Sequence, residues 1–150
     1  MSSFNFKIQL HQYCISLLEA EISEIQTAIS GQKEGAEGSS SAGDKHNTEG
    51  AMQHLELEKK HTQLGIKQQN LLLLHKINPE VKCAAVSLGA YVKTNKGIFY
   101  FAAPMGKINF ENTDIMVLSL ASPLGRILSK MKLNESVCFN KELWVIEGIA

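Results

Sequence analysis

One spacing constrains this chain more than any other. Apolar residues fall at Ile8, Ile15, Leu18, Ile22, Ile25 and Ile29, and His11 fills the single gap, so steps of three and four alternate throughout. That is a heptad seam on one long helix. Residues 8–29 of such a helix span about 30 Å at ~1.5 Å per residue. Glu19, Glu24 and Gln26 fall on the opposite, solvated face. A long helix with one apolar seam draws its stability from a partner, and the chain offers one, over about residues 48–76. There Leu57, Leu64 and Leu71 lie seven apart, and Met52 and Leu55 extend the apolar side. Gly65 sits in its middle, at a cost of roughly 1 kcal/mol relative to alanine. Asn78-Pro79 ends it, because the residue before a proline is pushed out of the helical region.

Two long helices joined by one connection are expected to pack antiparallel, as a coiled-coil hairpin over residues 1–78. The connection, near residues 31–47, holds Gly31, Gly35, Gly38, Ser39, Ser40, Ser41 and Gly43. That composition suits a flexible linker. Its position between matched helices makes it the tip of a hairpin. Ala36 and Glu37 tolerate helix, so part of it can continue the first helix.

From Val81 the period changes. Residues 84–94 read as a strand that ends at Asn95-Lys96-Gly97, a hairpin turn signal. Residues 98–102 are aromatic and β-branched and read as the returning strand; residues 115–120 read as a third. Ser122-Pro123 opens a helix, with serine as N-cap and proline at the first helical position, running to Lys130 or Met131. Residues 137–140 and 143–149 are two further strands joined around Asn140-Lys141. The expectation is an α+β chain: the hairpin, then a small antiparallel-sheet domain over residues 79–150 with one helix, its core including Trp144.

Composition narrows the function classes. Residues 1–78 carry seven Lys/Arg against nine Asp/Glu, and residues 79–150 eight against six. Neither half has the basic excess of a non-specific nucleic-acid binder. With Arg126 the single arginine, bidentate base readout is not the expected business. Cys14, Cys83 and Cys138 are odd in number and lack CxxC spacing, which reads as buried thiols in a reducing compartment. The chain starts with no basic, then apolar, leader pattern, and its longest apolar run is Leu71-Leu72-Leu73-Leu74, so a cytoplasmic protein without a membrane partner is expected.

Two motifs on this layout carry a family resemblance. One is Ser122-Pro123-Leu124-Gly125-Arg126-Ile127-Leu128, followed by Lys130 and by Asn134-Glu135 ahead of a strand. The other is Ser41-Ala42-Gly43-Asp44-Lys45 at the tip, with Ala51-Met52 beyond it. Over nearly its whole length the chain resembles the bacterial Gre-type transcript-cleavage factors, in a divergent branch. The resemblance implies an FKBP-like C-terminal domain docked at the mouth of the RNA polymerase secondary channel, with the hairpin inside it. It implies a monomer that touches nascent RNA only indirectly, has no cofactor of its own, and is not itself an enzyme. The tip acid would help hold a second Mg²⁺ in the polymerase active site and orient a water, so that the polymerase cuts its own backtracked RNA. The chemistry is coherent: two metals stabilise the attacking and leaving oxygens, Mg²⁺ favours carboxylate oxygens, and a stiff arm positions the carboxylate.

The tip departs from the family pattern. Asp44 matches the first tip acid, but Asn47 stands where a glutamate is expected, and an amide brings no charge. Glu49, two residues further, is the other residue that could serve as the second acid. Asp44 also suits a helix N-cap or Asx-turn. Ala121 replaces an acidic residue found before Ser-Pro in many members. Ser122, Pro123 and Arg126 are the expected polymerase contacts, and helix capping explains Ser122 and Pro123 equally. A non-cleaving occupant of the channel therefore stands beside the cleavage factor. Two other classes stay open. A peptidyl-prolyl isomerase would need an aromatic pocket, with Tyr91, Phe99, Tyr100, Phe101 and Trp144 as its candidates; a coiled-coil adaptor would need heptads continuing into an oligomer. His46, His54 and His61 read as solvated or packing side chains rather than metal ligands.

Overall fold

The computed structural model describes residues 3–39 and 47–150, and for residues 32–39 and 47–53 the backbone course alone. Helix α1 spans Ser3–Ser39 and α2 spans Asn47–His75. Helix α1 thus runs past Gly31 into the glycine-rich stretch. The Ser41-Ala42-Gly43-Asp44 tip lies outside the described residues. Six strands follow: β1 (Tyr91–Thr94), β2 (Gly97–Phe101), β3 (Gly106–Phe110), β4 (Thr113–Leu118), β5 (Ser136–Phe139) and β6 (Glu142–Ile149). The short helix α3 (Pro123–Leu128) lies between β4 and β5. The chain divides into two compact units, Met1–Ile15 with Asn70–Ala150, and Ser16–Gln69, so both long helices contribute to each.

The sheet is mixed, which corrects the expected antiparallel one. Its order is β3-β4-β2-β1-β6-β5, and β2 pairs with β4 in parallel. The cause lies in residues 102–105. Past β2, Ala102 N–H donates to Leu118 O and Met105 N–H to Val117 O. The chain therefore steps over the slot beside β2, forms β3 at the edge, and returns through Glu111 and Asn112 to fill that slot with β4. Both turn residues have positive φ, 50° and 61°, as a two-residue primed hairpin requires. Strand β3 was not foreseen; its alternation of Ile108 and Phe110 with Lys107 and Asn109 is short.

The central strands are buried on both faces. Phe99 and Phe101 join Val86, Ala90, Val92, Leu128, Met131 and Ile146 in one cluster, with Leu124 of α3 and Trp144 packed against it. Tyr100, Ile115 and Val117 are also buried. They share the other face, because Tyr100 and Val117 are partners in the parallel register. That face meets the first turns of α1 and the end of α2, which bury Lys7, Leu10, His11, Cys14, Asn70 and Leu74. Phe6 lies 5.5 Å from Tyr91 and 5.4 Å from Phe110, ring centre to ring centre, and Tyr13 stacks on Phe110 at 4.9 Å.

In the unit of residues 16–69, Leu18 and Ile22 are buried and Ile25 and Ile29 half-buried, as the seam required. On α2 the half-buried side runs Leu57, Lys60, Leu64 and Lys67, again in steps of three and four. Lysine stems cover apolar surface while their amines reach water, and the Lys67 amine pairs with Glu21 of α1 at 2.5 Å. Leu55, assigned to the apolar side from sequence, is exposed.

Candidate functional site

The two candidate regions differ in how much of them the structure describes. At the tip, Asp44 falls outside the described residues. Asn47 is the first residue of α2 and Glu49 lies in its first turn, with the side chains of both beyond what is described.

The second region is α3. Ser122 adopts an extended conformation and its Oγ accepts from Gly125 N–H at 3.0 Å, while Pro123 occupies the first turn. Proline needs no hydrogen-bond acceptor there, and the serine satisfies one orphan donor of the helix start. Gly125 has a separate reason. A Cβ at that position would lie 2.6 Å from the carbonyl oxygens of both Ser119 and Leu120. The motif is thus a sharp corner in which only glycine fits against the turn at residues 119–120 that follows β4. Pro123 and Arg126 are exposed and Ser122 half-exposed, so together they present one ring, one guanidinium and one hydroxyl at this corner.

The residues weighed as an aromatic pocket are spent on packing. Tyr91, Phe99, Tyr100 and Phe101 are all buried, and Trp144 packs against Phe99 at 5.6 Å. The Trp144 Nε1–H is buried with no hydrogen-bond partner. His54 lies 3.1 Å from Glu58, both exposed, and His61 is exposed as well. Among the described residues no three His, Cys, Asp or Glu side chains are grouped as a metal site. The thiols are not uniformly buried as expected: Cys14 is buried, Cys83 half-buried and Cys138 exposed. Cys138 lies on the edge strand β5, where alternate side chains face outward. Burial pushes the Cys14 thiol up to about 12. No helix among the described residues is long and apolar enough to cross a membrane.

Sequence reasoning missed a buried polar group where α1 meets the sheet. Lys7 is fully buried and its Nζ donates to Val81 O at 2.7 Å. The Nζ also lies 5.8 Å from the centre of the Phe4 ring, which Lys82 approaches to 5.2 Å. His11 Nδ1 and the Tyr100 hydroxyl are 2.7 Å apart, both buried. The Leu74 backbone also faces the imidazole. A neutral ring can accept from the Tyr100 O–H at Nδ1 or donate to its oxygen there, according to which nitrogen carries the proton. Burial lowers the His11 pKa, Leu74 works against that, and His75 and Lys7 add to the lowering. Burial raises the Tyr100 hydroxyl, with Cys14 and Cys83 contributing. The only signal in the sequence was position: Lys7, His11, Cys14 and Leu18 are spaced four, three and four apart.

No protein-family model, curated protein or solved structure matches this chain.

Proposed function

We propose that the chain is an RNA-polymerase-binding elongation factor of the Gre type, acting through the secondary channel. The observation that carries this reading is the order of parts: two long helices, then a sheet unit whose α3 opens on Ser122-Pro123-Leu124-Gly125-Arg126. The interlocking seams of α1 and α2 and the Lys67–Glu21 pair support an antiparallel coiled-coil arm. In this reading the sheet unit is the FKBP-like docking domain, and Ser122, Pro123 and Arg126 are its polymerase contacts. Asp44 is the tip acid, offered to the Mg²⁺ of the polymerase active site, with Asn47 or Glu49 at the second position. The protein is then no enzyme by itself, works as a cytoplasmic monomer, and meets nascent RNA only through the polymerase.

The test is cleavage of backtracked RNA by a polymerase supplied with the protein. Stimulation that Asp44→Ala abolishes, with polymerase binding retained, is the expected result. Equal stimulation by wild type and Asp44→Ala removes the active tip from the proposal. The second reading, a channel occupant that does not cleave, rests on Asn47. It predicts binding without cleavage in the wild type and a gain of cleavage in Asn47→Glu, because the substitution supplies the missing charge. Absence of any polymerase binding overturns both.

A further inference from the structure

The polar contacts between α1 and the sheet have an unusual property: one of them can be switched by a proton. The titratable and polar groups around His11 and Tyr100 come from four elements. From its own helix come Lys7 and, near Tyr100, Cys14; from α2 come the Leu74 carbonyl and His75; from β2 comes Tyr100; from the segment before β1 comes Cys83. A neutral imidazole with its proton on the other nitrogen suits this set, since Nδ1 then accepts from the Tyr100 O–H. The rings stand edge to face, 6.0 Å apart and 89° between planes, so the contact is directional.

We propose that the His11–Tyr100 pair is a proton-released latch that holds residues 3–15 of α1 on the sheet. A second proton on His11 turns Nδ1 from acceptor into donor. The Tyr100 O–H then points at an N–H, and the hydroxyl must rotate into a buried space to offer its lone pair. The new charge is also buried, with the Lys7 ammonium close by and no carboxylate among the groups named. Water is the alternative home for an imidazolium, and His11 reaches it only if this stretch of α1 lifts from β2. The lowered His11 pKa has the same sign: the fold prefers the neutral ring. The rest of the contact is suited to opening as one piece. Leu10 and Cys14 are the apolar groups of this stretch buried beside His11, while Phe6 and Tyr13 touch the sheet through half-buried rings and Lys7 holds a loop carbonyl. The inference does not depend on the polymerase reading.

Amide hydrogen exchange on the intact protein tests it, with protection factors corrected for the intrinsic pH dependence. Amides of residues 7–15 should lose protection between pH 7.5 and 5, because the unfolded or lifted stretch binds the proton that the closed one rejects. Those of Ile115 and Val117 in β4 should stay unchanged. His11→Asn keeps an acceptor at the δ position without a titratable proton, and should hold its protection flat across the range. Should that variant fold poorly, the His11 ring itself serves: in wild type its NMR titration should have a midpoint below the ordinary 6.5. A normal midpoint, pH-independent protection of residues 7–15, or an equal loss in β4 would each overturn the latch.

Discussion

Replacing Lys7 separates what its stem contributes from what its charge contributes. The side chain is fully buried, and Nζ holds the Val81 carbonyl at 2.7 Å. Lys7→Ala removes the three methylenes beyond Cβ, worth ~0.8 kcal/mol each, and leaves a cavity. It also deletes a hydrogen bond from a charged donor, worth about 1.5–3 kcal/mol. Against these losses it abolishes the desolvation of an ammonium, a cost of several kcal/mol. The bond and the desolvation nearly offset each other, and Val81 is exposed, so water replaces the lost donor. The stem and cavity then dominate, and Lys7→Ala should cost about 2–4 kcal/mol. Lys7→Met keeps the stem while dropping both bond and charge, and should fall within about 1 kcal/mol of wild type. Urea titration followed by the single Trp144, which sits in the sheet, measures both variants. Alkaline pH gives a second, independent sign. Burial lowers the Lys7 pKa from 10.5, so the unfolded chain binds more protons between the two values and stability rises with pH there. The penalty present at neutral pH lifts as pH climbs through the folded value and is gone above 10.5. Wild type should therefore gain on Lys7→Met at alkaline pH. If Lys7→Met instead costs as much as Lys7→Ala, the charge and its bond hold this helix, and the reasoning from the stem is wrong.

Three further outcomes can be checked. Gly125→Ala sets a Cβ 2.6 Å from two backbone oxygens and should cost about 1–3 kcal/mol, more than the ~1 kcal/mol of Ser122→Ala, which loses only the cap; thermal melts that rank the two in reverse would show that the corner can shift. A maleimide at pH 8 should label exposed Cys138 first and leave Cys14, its thiol pushed up to about 12 by burial, until the protein unfolds; peptide mapping showing early Cys14 labelling would mean that α1 opens readily. Lys141 holds φ 66° in the β5–β6 turn beside Asn140 at 53°, so Lys141→Gly should stabilise by about 0.5–1 kcal/mol, and a lower urea midpoint would contradict that turn geometry.

The parts of this fold legible in the sequence are those fixed by local chemistry. Ser122-Pro123 begins α3 as expected because capping is a contact between neighbours. Asn95-Lys96-Gly97 turns β1 into β2 for a similar reason, with the Thr94 hydroxyl donating to Gly97 O. The heptads found α1 because burial on a helix repeats. What stayed hidden was set by partners distant in the chain. Strand β4 runs parallel to β2 because residues 102–105 bond to Val117 and Leu118, and no pattern in those residues announces it. Tyr91 and Tyr100 are buried because α1 covers the face they share.

The same logic explains why the seam was read one residue out of place near its start. Ile8 and Ile15 fit the heptads by hydropathy, yet both are only half-buried, while Lys7 and Cys14 beside them are buried. A helix packing on another helix selects apolar side chains along its seam. A helix packing on a sheet face, with a loop carbonyl at Val81 and a hydroxyl at Tyr100, can instead use groups that donate and accept. Lys7 and His11 meet those two partners, each at 2.7 Å. Polar residues at seam positions thus mark where the partner changes from helix to sheet, and in this chain that change falls within α1 itself.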